Sequence, residues 1–233
     1  MIEVKTKPIT WSRISIETAG PSLLALPRLS YYPAVKRAMD LLLASLLLAL
    51  LSPLILLIAV AIRLGSPGPA LFRQTRVGLN GRHFTMLKFR SMYNGCDQTV
   101  HQRLARRFVN GQARQSVYKV VGDVRITPLG RWLRKTSLDE LPQLVNVLRG
   151  EMSLVGPRPV VPYEVEQYTP YQRQRLYAVP GMTGLPQVSG RSGLTFDKIV
   201  RLDLEYIRHR SIGLDIWILL RTIPAVLAAR ATS

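Results

Sequence analysis

The sequence predicts an α+β protein seated on a membrane, and three observations carry that prediction. A run of 22 uncharged residues, Leu41 to Ile62, lies near the start of a 233-residue chain. Two short alternating segments flank an Asn80-Gly81 turn. Apolar residues then recur at helical spacing towards the C-terminus. The chain is long enough to bury a core and still carry appendages. Its 32 basic and 14 acidic residues leave a net charge of +18, which attracts anionic lipid, nucleic acid or phosphorylated substrates. Few aromatics and no recognisable nucleic-acid-binding motif argue against a nucleic-acid partner. A single cysteine, Cys96, excludes an intrachain disulfide. His83, His101 and His209 are too scattered for a structural zinc site.

Residues 1–33 contain Pro8, Gly20-Pro21, Pro27 and Pro33 without clear periodicity, and read as a loosely structured or surface-lying N-terminal extension. Residues 34–65 form the membrane helix. Its 22-residue apolar run gives about 33 Å of helix, enough to span a bilayer core. Ser52-Pro53 sits in the middle, where proline removes a backbone donor and favours a kink. Lys36 and Arg37 precede the run, while Arg63, Arg73 and Arg76 follow it. Basic flanks on both sides do not orient a simple span. A helix that enters, bends at Ser52-Pro53 and returns puts both flanks on the cytoplasmic side, with the Ser52 hydroxyl serving backbone groups freed at the bend. Kinked span and re-entrant helix both remain open on these grounds.

Ser66-Pro67-Gly68-Pro69 ends the helix. Residues 70–74 and 84–90 then read as strands of a hairpin. In the second strand Leu87 and Phe89 take one face, and Lys88 and Arg90 the other, either as solvated cations or as a pair aimed at phosphate. Residues 94–120, with Arg103, Arg106, Arg107 and Arg114, read as a solvated helix and loop or as a lipid-headgroup patch. Near the C-terminus, Phe196, Ile199, Val200, Leu204 and Ile207 form one helical stripe. Leu214, Trp217, Leu220, Ile223, Val226 and Leu227 form a second, suited to core packing or to a membrane interface.

The densest chemistry lies at Ser137-Leu138-Asp139-Glu140-Leu141-Pro142. Ser137 and Glu140 fit a capping box before a helix with Leu141, Leu144, Val145 and Leu148 on its buried stripe and Gly150 as its stop. Pro142 fits poorly into that helix and better into one starting nearer Asp139, which releases Glu140 from capping. Adjacent carboxylates converge only where the backbone is irregular, as at a helix start. With Arg134, Lys135 and Arg158 nearby, such a pair suits a diphosphate: one carboxylate as phosphoryl nucleophile, its partner on Mg²⁺.

An ordered set of short motifs resembles the bacterial sugar transferases, the monotopic phosphoglycosyl transferases. It comprises Lys36-Arg37-x-x-Asp40, Ser52-Pro53, residues 68–74, 76–81 and 88–92, then Arg134-x-x-Ser137 through Gln143, Asn146 to Ser153, and Gly156-Pro157-Arg158-Pro159. Pro180-Gly181-x-Thr183-Gly184, Gln187-Val188-x-Gly190-Arg191 and Leu202-Asp203-x-x-Tyr206 complete it. The resemblance covers about residues 34–229. It implies transfer of a sugar 1-phosphate from a nucleotide sugar, UDP-linked in most relatives, to polyprenyl (undecaprenyl) phosphate, as the first membrane step of surface glycan or exopolysaccharide synthesis. It further implies release of a nucleoside monophosphate such as UMP.

Under this resemblance Asp139 is the nucleophile that holds a covalent phosphosugar. Glu140, with Asp139, holds Mg²⁺. Arg134, Arg158, Lys88, Arg90 and Arg191 serve substrate phosphate, and Ser52-Pro53 is the bend of a re-entrant helix. Residues 66–233 become a cytoplasmic catalytic domain with amphipathic interfacial helices, held monotopically on the cytoplasmic face of the bacterial inner membrane beside anionic lipid. With about 33 residues ahead of the core, the chain resembles the small form of the family. Val179 and Pro186 depart from the residues many relatives carry in the segment 179–191. Oligomeric state, a homo-oligomer included, stays open. The competing function is a non-catalytic basic protein that holds anionic lipid or polyanions.

Overall fold

A computed structural model describes residues 31–95, 99–112, 123–190 and 193–231. Helix α1 runs Tyr32–Gly65 with Pro33 in its first turn and Arg63 in its last. It is long and apolar enough to cross a membrane. It continues through Pro53, which has no amide hydrogen for the Ala49 carbonyl four residues back. The Ser52 hydroxyl donates to that carbonyl at 2.8 Å, as the sequence reading anticipates.

The two halves of α1 pack on different parts of one domain. Leu43, Ala44 and Leu48 enter the main core, whereas Leu54, Ile55, Ile58, Ala59 and Ile62 enter a second cluster with Phe89 and Leu133. Leu42, Leu46, Leu50, Leu56, Leu57 and Leu64 face outwards and are all more than 60% exposed. A row of large exposed leucines is costly in water and favourable in lipid.

The hairpin forms between β1 (Leu71–Val77) and β2 (His83–Phe89), antiparallel from Leu71↔Phe89 to Val77↔His83. Its turn places Asn80 at φ 53° and Gly81 at φ 80°, the left-handed region these residues tolerate best. Helix α2 (Thr99–Val109) buries Ala105, Phe108 and Val109 and exposes Arg103, Arg106 and Arg107. Helix α3 (Pro128–Thr136), capped by the Thr127 hydroxyl on the Gly130 amide, buries Leu133 and exposes Arg131, Trp132 and Lys135. Helix α4 (Gln143–Arg149) buries Leu144 and Val147 and stops at Gly150.

A second sheet was not legible in the sequence. Strand β3 (Ser153–Val155) pairs in parallel with β4 (Gly181–Thr183), each only three residues long. Between them lie the short helices α5 (Pro162–Val165) and α6 (Pro170–Arg173). Gly156, Gly181 and Gly184 make the pairing feasible. A Cβ on Gly181 would stand 2.1 Å from the Gly156 nitrogen, and one on Gly184 would stand 2.3 Å from the Gly156 oxygen. That backbone seam fixes the Gly156–Pro159 loop.

Helix α7 (Leu185–Val188) leads to α8 (Phe196–His209) and α9 (Ile212–Ala231). Phe196, Val200, Leu204 and Ile207 bury the α8 stripe as expected. In α9, Ile218 is buried while Ile216, Leu220 and Ile223 are exposed. Core packing therefore takes one face of α9, and an apolar face remains outside.

Buried polar bonds tie α1 to this assembly. Arg37 donates to the Val147 and Leu148 carbonyls at 2.6 and 2.8 Å, and Asp40 accepts the Leu154 amide at 3.0 Å. Lys36 pairs with both Asp40 and Asp215, and Asp215 also accepts the Tyr32 and Tyr206 hydroxyls. The Lys36-Arg37-x-x-Asp40 motif is thus the anchor of the apolar helix to the domain.

Candidate active site

Ser137 does not cap a helix through its side chain, which corrects the capping-box expectation. It adopts φ 59°, ψ 15° and closes α3 with its amide on the Arg134 and Leu133 carbonyls. A non-glycine residue in this region is uncommon and turns the chain sharply. A single 3₁₀ turn, Leu138–Glu140, follows, and Pro142 then stands at the N-cap of α4, where its missing N–H costs nothing. The reading that frees Glu140 from capping is the one realised. Asp139 and Glu140 occupy the tight corner between two helices.

The corner rests on β2. Lys88 donates to Glu140 Oε1 at 3.0 Å. Asn146, fully buried in α4, locks that register: it accepts the Leu87 amide at 3.0 Å and donates to the Thr85 carbonyl at 2.8 Å. Arg134 donates through Nε to the Ser91 hydroxyl at 2.7 Å, just beyond β2. Lys88, Arg134, Asp139 and Glu140 therefore form one charge cluster.

Asp139 is buried, with 8% exposure, while the Glu140 side chain is 37% exposed. Burial pushes the Asp139 carboxyl up to about 6; the Lys88 ammonium pulls it down, the Glu140 carboxylate pushes it up, and Arg134 pulls it down again. Burial likewise lowers the Arg134 guanidinium, against the pull of Asp139. A buried carboxylate titrating near neutrality, next to cations, has the character of a catalytic group.

Arg90 serves another part of the fold. Arg90 is neither solvated nor turned to the dyad: it is 5% exposed and donates to the Ile62, Ser66 and Pro67 carbonyls at the end of α1. A guanidinium at a helix C-terminus satisfies orphan carbonyls and the helix dipole together, which is why this strand cation is buried. Arg158 is exposed on the loop after β3. Arg191, Cys96 and Arg114 lie outside the described residues. Sequence reasoning gave no role to Ser91 or Asn146. The buried face of α4 is Gln143, Leu144, Asn146 and Val147, whereas Leu141, Val145 and Leu148 of the expected stripe are only half-buried; the signal for Asn146 was a polar residue between apolar neighbours.

Among the described residues no three His, Cys, Asp or Glu side chains cluster as a ready metal cage. The Asp139–Glu140 pair nevertheless fits Mg²⁺, which takes one or two carboxylates when substrate phosphate and water fill its remaining positions.

A family profile described as bacterial sugar transferase matches residues 31–229. Over 225 residues the chain is 44% identical to UDP-glucose:undecaprenyl-phosphate glucose-1-phosphate transferase of Caulobacter vibrioides, covering 92% of this chain and 76% of that protein. It is 41% identical to exopolysaccharide production protein ExoY of Rhizobium meliloti, covering 84% of this chain and 87% of the relative. Identity reaches 50% with galactosyl transferase CpsE of Streptococcus agalactiae, across 69% of this chain but only 35% of that longer protein. With a profile match across nearly its whole length and these relatives, the chain belongs to the bacterial sugar transferase family.

Proposed function

We propose that this chain transfers a sugar 1-phosphate from a UDP-sugar to polyprenyl phosphate, undecaprenyl phosphate in the cell, through a covalent intermediate on Asp139. The observation that carries the reading is the Asp139–Glu140 pair in the corner between two helices: Asp139 is buried, that burial pushes its carboxyl up to about 6, and the Lys88 and Arg134 cations act against the rise. Relatives named for undecaprenyl-phosphate glucose and galactose transfer support the substrate classes.

In the first step an Asp139 oxygen attacks the sugar-bearing phosphorus. The bond from that phosphorus to the bridging oxygen breaks, UMP leaves with the electron pair, and a mixed acyl-phosphate remains. In the second step a phosphate oxygen of the lipid attacks the same phosphorus. The Asp139 carboxylate leaves unchanged, and polyprenyl diphosphate-sugar is released. Each step brings an anion to an anion, so fixed positive charge is the main requirement. Arg134 and Lys88 supply it beside the nucleophile, and Arg158 supplies it from the Gly156–Pro159 loop. Glu140, with Asp139, would hold Mg²⁺, which when bound neutralises diphosphate charge and polarises its oxygens.

We also read α1 as a re-entrant helix, with the domain on the cytoplasmic face. Both its ends are fastened to one domain, by Arg37 and Asp40 at the start and by Arg90 at the end, while its outer leucines are exposed. Exposed Ile216, Leu220 and Ile223 of α9 and Trp132 of α3 suit an interfacial position.

The test is UMP release by detergent-solubilised protein, with Mg²⁺ and polyprenyl phosphate, across a panel that includes UDP-glucose and UDP-galactose. Release with a preferred donor that is absent in Asp139→Asn supports the reading. Folded protein that binds anionic vesicles and turns over no donor supports the non-catalytic alternative.

A further inference from the structure

An open pocket of about 470 Å³ lies where α1 leaves its apolar segment, lined by Arg63, Phe72, Arg73, Arg90 and Asn94 among others. Nothing in the mechanism above uses it. Its composition is two-sided. Arg63 and Arg73 are exposed at its mouth, and the buried Arg90 lies behind them with its Nε unpartnered among the described residues. Phe72 is 37% exposed, and Leu64 next to Arg63 is 84% exposed, the last of the outward row of α1 with Leu57 and Val60 at helical spacing. Cations next to an exposed apolar stripe fit a phosphate carried on a hydrocarbon tail.

The register of the hairpin ties one wall of this pocket to the strand that carries Lys88, while Arg73, opposite Leu87, takes the other face. Phe72 is the cross-strand partner of Lys88, so the two side chains share a face. Arg90 follows Lys88 by two residues on that same face, a separation of about 7 Å along the strand. Lys88 in turn holds Glu140.

We infer that this pocket receives the phosphate of the acceptor lipid while its tail runs along α1. The inference rests on the proposed transfer to polyprenyl phosphate and locates where that substrate waits. A phosphomonoester, with its second ionisation, matches two exposed arginines better than the single charge of an ordinary phosphodiester lipid. Transfer then requires the lipid phosphate to pass from here to the phosphosugar on Asp139, past the end of the hairpin that carries Lys88.

The test is equilibrium binding of a radiolabelled polyprenyl phosphate to the full chain in phosphatidylcholine nanodiscs, with no donor present, for the parent and for Arg63→Gln/Arg73→Gln. Both positions are exposed, and an unchanged thermal midpoint shows that the variant is folded. The Kd is expected to rise about tenfold or more, with Arg63→Lys/Arg73→Lys recovering part of the loss. The acceptor KM in turnover rises in step. An unchanged Kd overturns the inference. So does a loss of binding to phosphatidylglycerol, measured as a competitor, without loss of polyprenyl phosphate binding. Because binding needs no donor, a protein that holds the lipid through these arginines yet transfers nothing contradicts the proposed function and not the pocket.

Discussion

Replacing Lys88 by Met is the sharpest perturbation of the site, because one change alters the proton affinity of Asp139 without touching the nucleophile. Lys88 is the largest influence that opposes burial at Asp139, whose carboxyl stands at about 6 with Lys88 in place. An opposite charge at such a site is worth roughly one unit or more, so the inflection moves to roughly 7 in Lys88→Met. At pH 6.5 the ionised fraction then falls from about three quarters to about one quarter, and at pH 5 the loss is roughly ninefold. Glu140→Gln removes the like charge and moves the inflection the other way, below about 6. The assay is the pH dependence of the donor kcat/KM, which reports the free enzyme's essential base. Any effect of Lys88 on phosphate binding scales the whole curve, whereas the inflection follows the Asp139–Glu140 pair. An inflection that stays in place in Lys88→Met, or shifts in the same direction in both variants, refutes the reasoning.

The same carboxyl links pH to stability. Its native-state value lies above the ordinary 3.8. The native state thus holds the proton more tightly than the unfolded chain, and this contribution is full below about pH 4 and lost as pH rises through about 6. Asp139→Asn, though inactive, should therefore be more heat-stable than the parent at pH 7.5, by at most about 3 kcal/mol, with the gap narrowing to about 1 kcal/mol by pH 4.5 in differential scanning calorimetry. Arg90→Gln strips the end of α1 of charged bonds to three carbonyls and should cost about 3 kcal/mol, read as a lowered thermal midpoint in detergent. Asn146→Ala leaves the Leu87 amide and the Thr85 carbonyl unpaired and should cost roughly 2–4 kcal/mol, with Lys88 losing its register against Glu140 and kcat falling more than donor KM rises.

Local physics made most of the frame readable. The apolar run, the Pro53 break with its serine remedy, the Asn80-Gly81 hairpin and the α8 stripe depend on neighbours within a few residues, so their sequence signals survive folding. The β3–β4 pair escaped because two three-residue strands have no periodicity to read, and their partners lie 28 residues apart, as with Ser153 and Gly181. The glycines that permit the pairing have no side chain to signal it. At the site the dyad itself was legible, and so was the conflict between a capping box and Pro142. What sequence did not reveal was the left-handed Ser137, a non-glycine residue whose conformation tertiary packing imposes. Arg90 shows the opposite failure: strand alternation correctly gave its face, but that face meets the end of α1 rather than solvent, and only the tertiary structure contains that helix end.

The central claim is a phosphosugar bond on Asp139, and the most direct measurement is mass spectrometry of the protein after brief exposure to its preferred UDP-sugar and Mg²⁺ without acceptor. The account predicts an added sugar phosphate on the peptide containing Asp139, discharged by polyprenyl phosphate and absent in Asp139→Asn. Turnover with no adduct under acid quench, or an adduct on another residue, would contradict it.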